Sequence, residues 1–200
     1  RDRIARKMSV MIGLPAVRIA ALHLRVPSQV FLDELLPGQV VGRLDSRVSG
    51  ARPVARVGRP AAVDDPALGM KGRNQILAPG ITAYMSDELG VPLSRPYVSL
   101  NLDVAFNFRT RPEPAFEGAY SNPTPNIAAA LERSPGARVL LVGGYYDMAV
   151  PLLGPIYALD HADVPRERTE VLALAAGHSP YETADDRAEV SAALHRLVEN

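Results

Sequence analysis

Residues 138–181 read RVLLVGGYYDMAVPLLGPIYALDHADVPRERTEVLALAAGHSPY, and the fold turns on this stretch. Val139, Leu140, Leu141 and Val142 form a short apolar run closed by Gly143 and Gly144. A run that is apolar at every position suits a strand buried on both faces of a parallel sheet. A second run, residues 170–175, is followed by Ala176, Gly177 and then His178. Between the two lie a predicted short helix over residues 155–161, with Pro155 in its first turn, and a polar connection around Pro165. Strand, helix and strand in that order predict a crossover unit whose strands run parallel as neighbours. Neighbouring strands are about 4.8 Å apart. Asp147 follows the first strand and His178 the second. Both loops leave the same end of the sheet, so the two side chains come within hydrogen-bonding reach.

Taken singly, an Asp or a His after a strand is a turn former or a solvated side chain. Taken together, a carboxylate orienting an imidazole is two thirds of a nucleophilic triad. Asp followed by His at consecutive strand ends is also the order used by the α/β-hydrolase fold. Gly177 permits close backbone approach in the turn before the His. Both readings stand on these residues alone.

The stretches GGYYDMAVPLLGPIYALDH (143–161) and AAGHSPY (175–181) resemble the C-terminal end of serine carboxypeptidases, in particular the bacterial branch. VGRLDSRVSG, at 41–50, resembles a further signature of that family, and the similarity runs from about Arg3 to the end of the chain. The tyrosine pair, the 157–161 stretch and Gly-Arg-Leu-Asp-Ser-Arg are its most specific elements. The resemblance implies an α/β-hydrolase fold, with residues 1–96 as a helical cap-like segment and 97–200 as the C-terminal part of the core. It makes Asp147 and His178 the catalytic carboxylate and base, and a peptide the substrate. No metal or organic cofactor is implied, and no substrate-binding residue is assigned.

Two departures from the family pattern bear on this. Ser179 stands where the family commonly has Met, which alters the pocket beside the catalytic His. No Gly-x-Ser-x-Gly occurs, so the nucleophile elbow is missing. The expectation is the C-terminal part of an enzyme, inactive by itself and removing C-terminal residues from peptides when intact. Alternative readings are an esterase or aminopeptidase of the same fold, because Asp and His do not determine the leaving group, or a non-catalytic hydrolase-like binding module.

Composition narrows the partners. The 22 basic and 22 acidic residues balance, which gives no electrostatic case for nucleic acid or an anionic membrane. The chain has no Cys, hence no disulfide, thiol nucleophile or thiolate metal site. No apolar run reaches the roughly 18 residues that a spanning helix needs. The chain opens Arg-Asp-Arg-Ile-Ala, without Met or signal peptide, as expected of a truncated sequence.

Elsewhere, residues 3–36 read as helices, with Ile4, Met8 and Met11 on one face and Val17, Ala20, Ala21 and Leu24 continuing after Gly13 and Pro15. A third helical segment starts at Pro27-Ser28. Residues 40–49 read as a strand, with Asp45 between Arg43 and Arg47 placed for an ion pair or a substrate contact. Residues 51–73 read as a surface loop with a turn at Asp64-Asp65-Pro66. Ile81, Tyr84, Met85 and Leu89 share a helical face stopped by Gly90. The alternation over 97–108 predicts a strand, and 109–125 a Pro-rich connection. A helix from Thr124 ends at Pro135-Gly136, and Thr183 with Asp186 caps a final helix whose stripe is Val190, Ala193, Leu194, Leu197 and Val198. His23, His161 and His195 are assigned to packing or to the surface.

Overall fold

The computed structural model describes residues 1–54, 61–70, 73–103 and 122–199 as helices and small sheets of mixed α/β content. Helices α1 (Asp2–Ile12) and α2 (Ala16–Ala21) pack around Ala5, Leu14 and Ile19, all almost fully buried, with Met8, Ile12 and Phe31 against them. The expected α1 face is corrected here. Met8 packs against the core as expected, but Ile4 and Met11 are exposed, and Ala5, buried, and Ile12, half-buried, take the inner positions. Gly13 adopts a left-handed φ of 79°, which ends α1 and turns α2 back onto it. The small Ala5 lets the two helices approach closely. Val17, expected in the α2 stripe, is 79% exposed, and Ile19 takes the core position. Helix α3 (Ser28–Glu34) begins after Pro27, where the sequence places it.

Residues 40–49 are not one strand. Gln39–Val41 (β1) and Ser49–Ala51 (β2) pair antiparallel, and residues 42–48 turn between them. The Asp45 carboxylate accepts the Arg47 N–H two residues on, a local bond that competes with extended pairing. The 51–73 stretch also departs from a surface loop. It includes a 3₁₀ turn at Ala61–Asp64, and Val63 and Met70 are fully buried; residues 55–60, 71 and 72 lie outside the described residues. Asp65 stabilises this region by accepting the backbone N–H groups of Arg43 and Ala67 at 2.8 Å each.

Strands β3 (Gln75–Leu77) and β4 (Val98–Asn101) form a second antiparallel pair. The strand predicted over 97–108 stops at Asn101, whose side-chain oxygen accepts the Asp103 N–H and turns the chain. Residues 104–108 of that expectation, and 109–121 of the Pro-rich connection, lie outside the described residues. Between β3 and β4, α4 (Pro79–Ala83) continues into a π-helical turn at Tyr84–Glu88 and stops at Gly90, φ 64°. Ile81, Tyr84 and Leu89 on the predicted face are exposed.

Helix α5 (Thr124–Arg133) leads into β5 (Val139–Gly144), then α6 (Leu153–Asp160), β6 (Thr169–Leu174) and α7 (Ala184–Glu199). β5 and β6 pair in parallel, from Val139 opposite Thr169 to Gly144 opposite Leu174. Val139 and Leu141 share one face of β5 and pack with Leu131, Leu159 and Val164. Arg168, immediately before β6, donates to the carbonyls of Leu131, Ser134 and Ala137, which satisfies the C-terminal end of α5. The α7 cap uses the expected pair: Thr183 Oγ1 accepts the Asp186 N–H at 3.0 Å. The second bond is between side chains, Thr183 Oγ1 donating to the Asp186 carboxylate at 2.7 Å where a full capping box uses the backbone N–H. The stripe is shorter than its sequence suggests, since Ala193 is buried while Leu194 and Val198 are exposed. No helix among the described residues is long and apolar enough to cross a membrane.

Candidate active site

The parallel pair sets the site. Asp147 and His178 leave the carboxyl ends of β5 and β6, and His178 Nδ1 lies 2.8 Å from Asp147 Oδ2. A carboxylate can only accept, so Nδ1 carries the hydrogen and donates it. Asp147 is 7% exposed. Its other oxygen, Oδ1, accepts the backbone N–H groups of Ala149 at 2.8 Å and Val150 at 3.0 Å. Three donors thus hold one buried carboxylate in a single orientation. The imidazole side chain is 46% exposed, and with Nδ1 engaged, Nε2 is the nitrogen left to exchange a proton with a reacting group.

Backbone proximity enforces this spacing. A Cβ added at Gly144 would collide with the carbonyls of Ala176 and Gly177, and one at Gly177 would sit 2.6 Å from the Leu44 carbonyl oxygen. Tyr145 and Tyr146 donate their N–H groups across the strand ends to Leu174 and Ala176, at 2.9 and 3.0 Å. The segment 43–47 reaches both loops at once. His178 N–H donates to Leu44 O at 2.7 Å, Met148 N–H to Arg43 O at 2.9 Å, and Ser46 N–H to Tyr146 O at 2.9 Å.

Asp45 and Arg47 sit within that segment. Asp45 pairs with Arg47, through Nη2 at 2.6 Å and Nε at 3.0 Å, and not with Arg43. The Arg47 hydrogen bonds hold the Asp45 carboxyl below the usual aspartate range, against the opposing effect of burial. Arg47 is raised in turn by the same partner. A cleft of about 220 Å³ opens beside the imidazole, lined by Leu44, Asp45, Leu68, His178, Ser179 and Glu182 among others. Ser179 therefore lies on its wall.

Comparison with known proteins adds nothing here. No family model, curated protein or solved structure matches the chain.

The remaining histidines lie apart from this arrangement. His161 stacks on Tyr157 at 3.8 Å between ring centroids and donates Nδ1–H to the Tyr157 carbonyl at 2.8 Å. His23 and His195 are exposed. No group of three or more metal-ligating side chains of the His, Cys, Asp and Glu types occurs among the described residues. No serine hydroxyl among them is hydrogen-bonded to His178. The sequence brought out Asp147, His178 and Asp45, but not the bond of segment 43–47 to the two loops. The available signal was Asp45-x-Arg47, a spacing that closes a local side-chain-to-backbone turn.

Proposed function

We propose that this chain is the C-terminal part of a serine-type carboxypeptidase of the α/β-hydrolase fold, and that it carries the carboxylate and the base of a Ser-His-Asp triad. One observation carries the reading: a buried, triply held carboxylate 2.8 Å from an imidazole nitrogen at adjacent parallel strand ends. In the proposed reaction a serine hydroxyl attacks the carbonyl of the last peptide bond. His178 Nε2 takes the hydroxyl proton and returns it to the leaving amine, while Asp147 fixes the tautomer and stabilises the imidazolium. The 200 residues contain no Gly-x-Ser-x-Gly, so the serine is assigned to a segment outside them. The chemistry calls for no metal or organic cofactor. The cleft beside His178 and Ser179 is the proposed place for a substrate side chain.

The test uses the gene product that contains these residues, assayed for release of the last amino acid from a blocked dipeptide. Asp147→Asn favours the wrong imidazole tautomer and is expected to lower turnover by about 10⁴-fold with the fold retained. His178→Ala should be at least as damaging, whereas substitutions of His23, His161 or His195 should leave turnover near the parent value. A variant at Asp147 or His178 that works at close to the parent rate refutes the assignment. Hydrolysis of esters but not of the dipeptide would indicate an esterase, and no hydrolysis of either would indicate a binding module.

A further inference from the structure

Segment 43–47 offers a role that a hydrolase dyad alone does not require. Arg47 is the only side chain among the described residues that binds the Asp45 carboxylate and also reaches both dyad-bearing loops. Its Nε and Nη2 grip Asp45 at 3.0 and 2.6 Å, its Nη1 donates to the Ala175 carbonyl at 2.6 Å, and its guanidinium lies 4.9 Å over the Tyr146 ring. Ala175 stands three residues before His178, and Tyr146 directly precedes Asp147. A planar guanidinium can make these contacts together because its donors point outward in a fixed fork while its face remains free to stack. An ammonium cannot do so.

We propose that Arg47, held by Asp45, is a positioning residue that fixes the separation and orientation of the Asp147 and His178 loops. The proposal rests on the dyad reading above. The backbone already ties segment 43–46 to both loops through Arg43 O, Leu44 O and Ser46 N. Those three backbone bonds fix the spacing between the segment and the two loops. The guanidinium adds one side-chain contact to each loop, at the Ala175 carbonyl and the Tyr146 ring, and so restrains their relative orientation. The Asp45–Arg47 ion pair is neutral in sum, so the pair itself adds no net positive charge to oppose an imidazolium. Asp45 also lies on the cleft wall with His178. A shift of this pair would therefore move the wall and the imidazole together.

The measurement is the tautomer of neutral His178 in the intact gene product, read from long-range ¹H–¹⁵N correlation spectra, which needs no turnover. The parent should show the Nδ1–H form. Arg47→Gln should convert it to a mixture of Nδ1–H and Nε2–H forms with the rest of the spectrum preserved. In Arg47→Ala, millimolar guanidinium ion should restore the parent tautomer, whereas Arg47→Lys should not. In the intact gene product the same Gln variant should lower kcat by up to about 10²-fold, the scale of a 1 Å misplacement, with KM little changed. A parent-like tautomer in Arg47→Gln overturns the positioning role while leaving the dyad standing. A parent that lacks the Nδ1–H form overturns the dyad reading itself. If the Arg47 variants do not fold, Tyr146→Leu removes only the stacking contact, and a parent-like tautomer there also counts against the proposal.

Discussion

Gly177→Ala is the sharpest probe of how the two strand ends are spaced. The added Cβ would meet the Leu44 carbonyl oxygen at 2.6 Å, Asp45 Cβ at 2.7 Å and Asp45 Oδ2 at 2.9 Å. Two of these neighbours are backbone or backbone-proximal and cannot swing aside. Relief to ordinary contact requires segment 43–46 to move by roughly 0.7 Å, since core packing tolerates little interpenetration. The same movement lengthens the bond from His178 N–H to Leu44 O, now 2.7 Å, toward about 3.4 Å, where a hydrogen bond is nearly lost. Overpacking costs about 1–3 kcal/mol and the weakened bond about 1 kcal/mol, so a loss of about 2–4 kcal/mol is expected. Equilibrium urea unfolding reads this directly. With a slope near 2 kcal/mol per M, the midpoint should fall by about 1–2 M. Gly154→Ala, in α6, is the matched control, because nothing lies within 4 Å of its Cβ. It should be neutral or stabilising by up to about 1 kcal/mol. A Gly177→Ala midpoint no lower than that of Gly154→Ala would refute the contention that backbone contact holds the site together.

Two further outcomes follow from the same contacts. Asp45 titrates below its ordinary range in the folded chain, so its contribution is present above the unfolded aspartate value and disappears as pH falls through the lower folded value. Stability should therefore be indifferent to this pair from pH 5 to 8, roughly, and decline below the ordinary aspartate range; Asp45→Asn should flatten that acid limb, and an unchanged limb counts against the pairing. The isolated 200-residue chain should self-associate, because among the described residues β5 and β6 form a sheet of only two strands, whose unpaired edges can template pairing with another copy. Leu153, Tyr157 and Tyr145 are each more than half exposed. A monodisperse monomer by size-exclusion chromatography with light scattering would contradict this.

The sequence made some of this legible because the relevant signals are local. Val139–Val142 reads as a strand from its apolar run, although its four residues are half-buried rather than buried on both faces, and the capping pair Thr183 and Asp186 starts a helix. Asp147 and His178 followed from the order of those elements. The hairpin at 39–51 was not legible in the same way. Its strands have three residues each, too few for a period of two to stand out, and Asp45 bends the chain through a bond that hydropathy does not register. The α1 face lies slightly rotated from the one its apolar spacing suggests: Met8 packs where expected, and the packing of α2 selects Ala5 and Ile12 beside it over Ile4 and Met11. The contact between segment 43–47 and the dyad loops spans most of the chain, and no local pattern records it.

That span has a kinetic side. The carboxylate and the imidazole are 31 residues apart, whereas Arg47 and Ala175 are 128 apart. Closing the longer loop costs about 1.3 kcal/mol more chain entropy than closing the shorter one. The β5–α6–β6 unit is thus expected to assemble first, and segment 43–47 to lock onto it in a later and slower event. Pulse-labelled amide exchange during refolding would show the Leu172 and Leu141 amides, which point toward the opposite strand of the parallel pair, protected before that of His178. The reverse order would mean that the distant segment acts as the template. If the expected order holds, the chain passes through a stage in which both residues of the dyad are neighbours and neither is yet aligned, so competence arrives last, with the most remote closure.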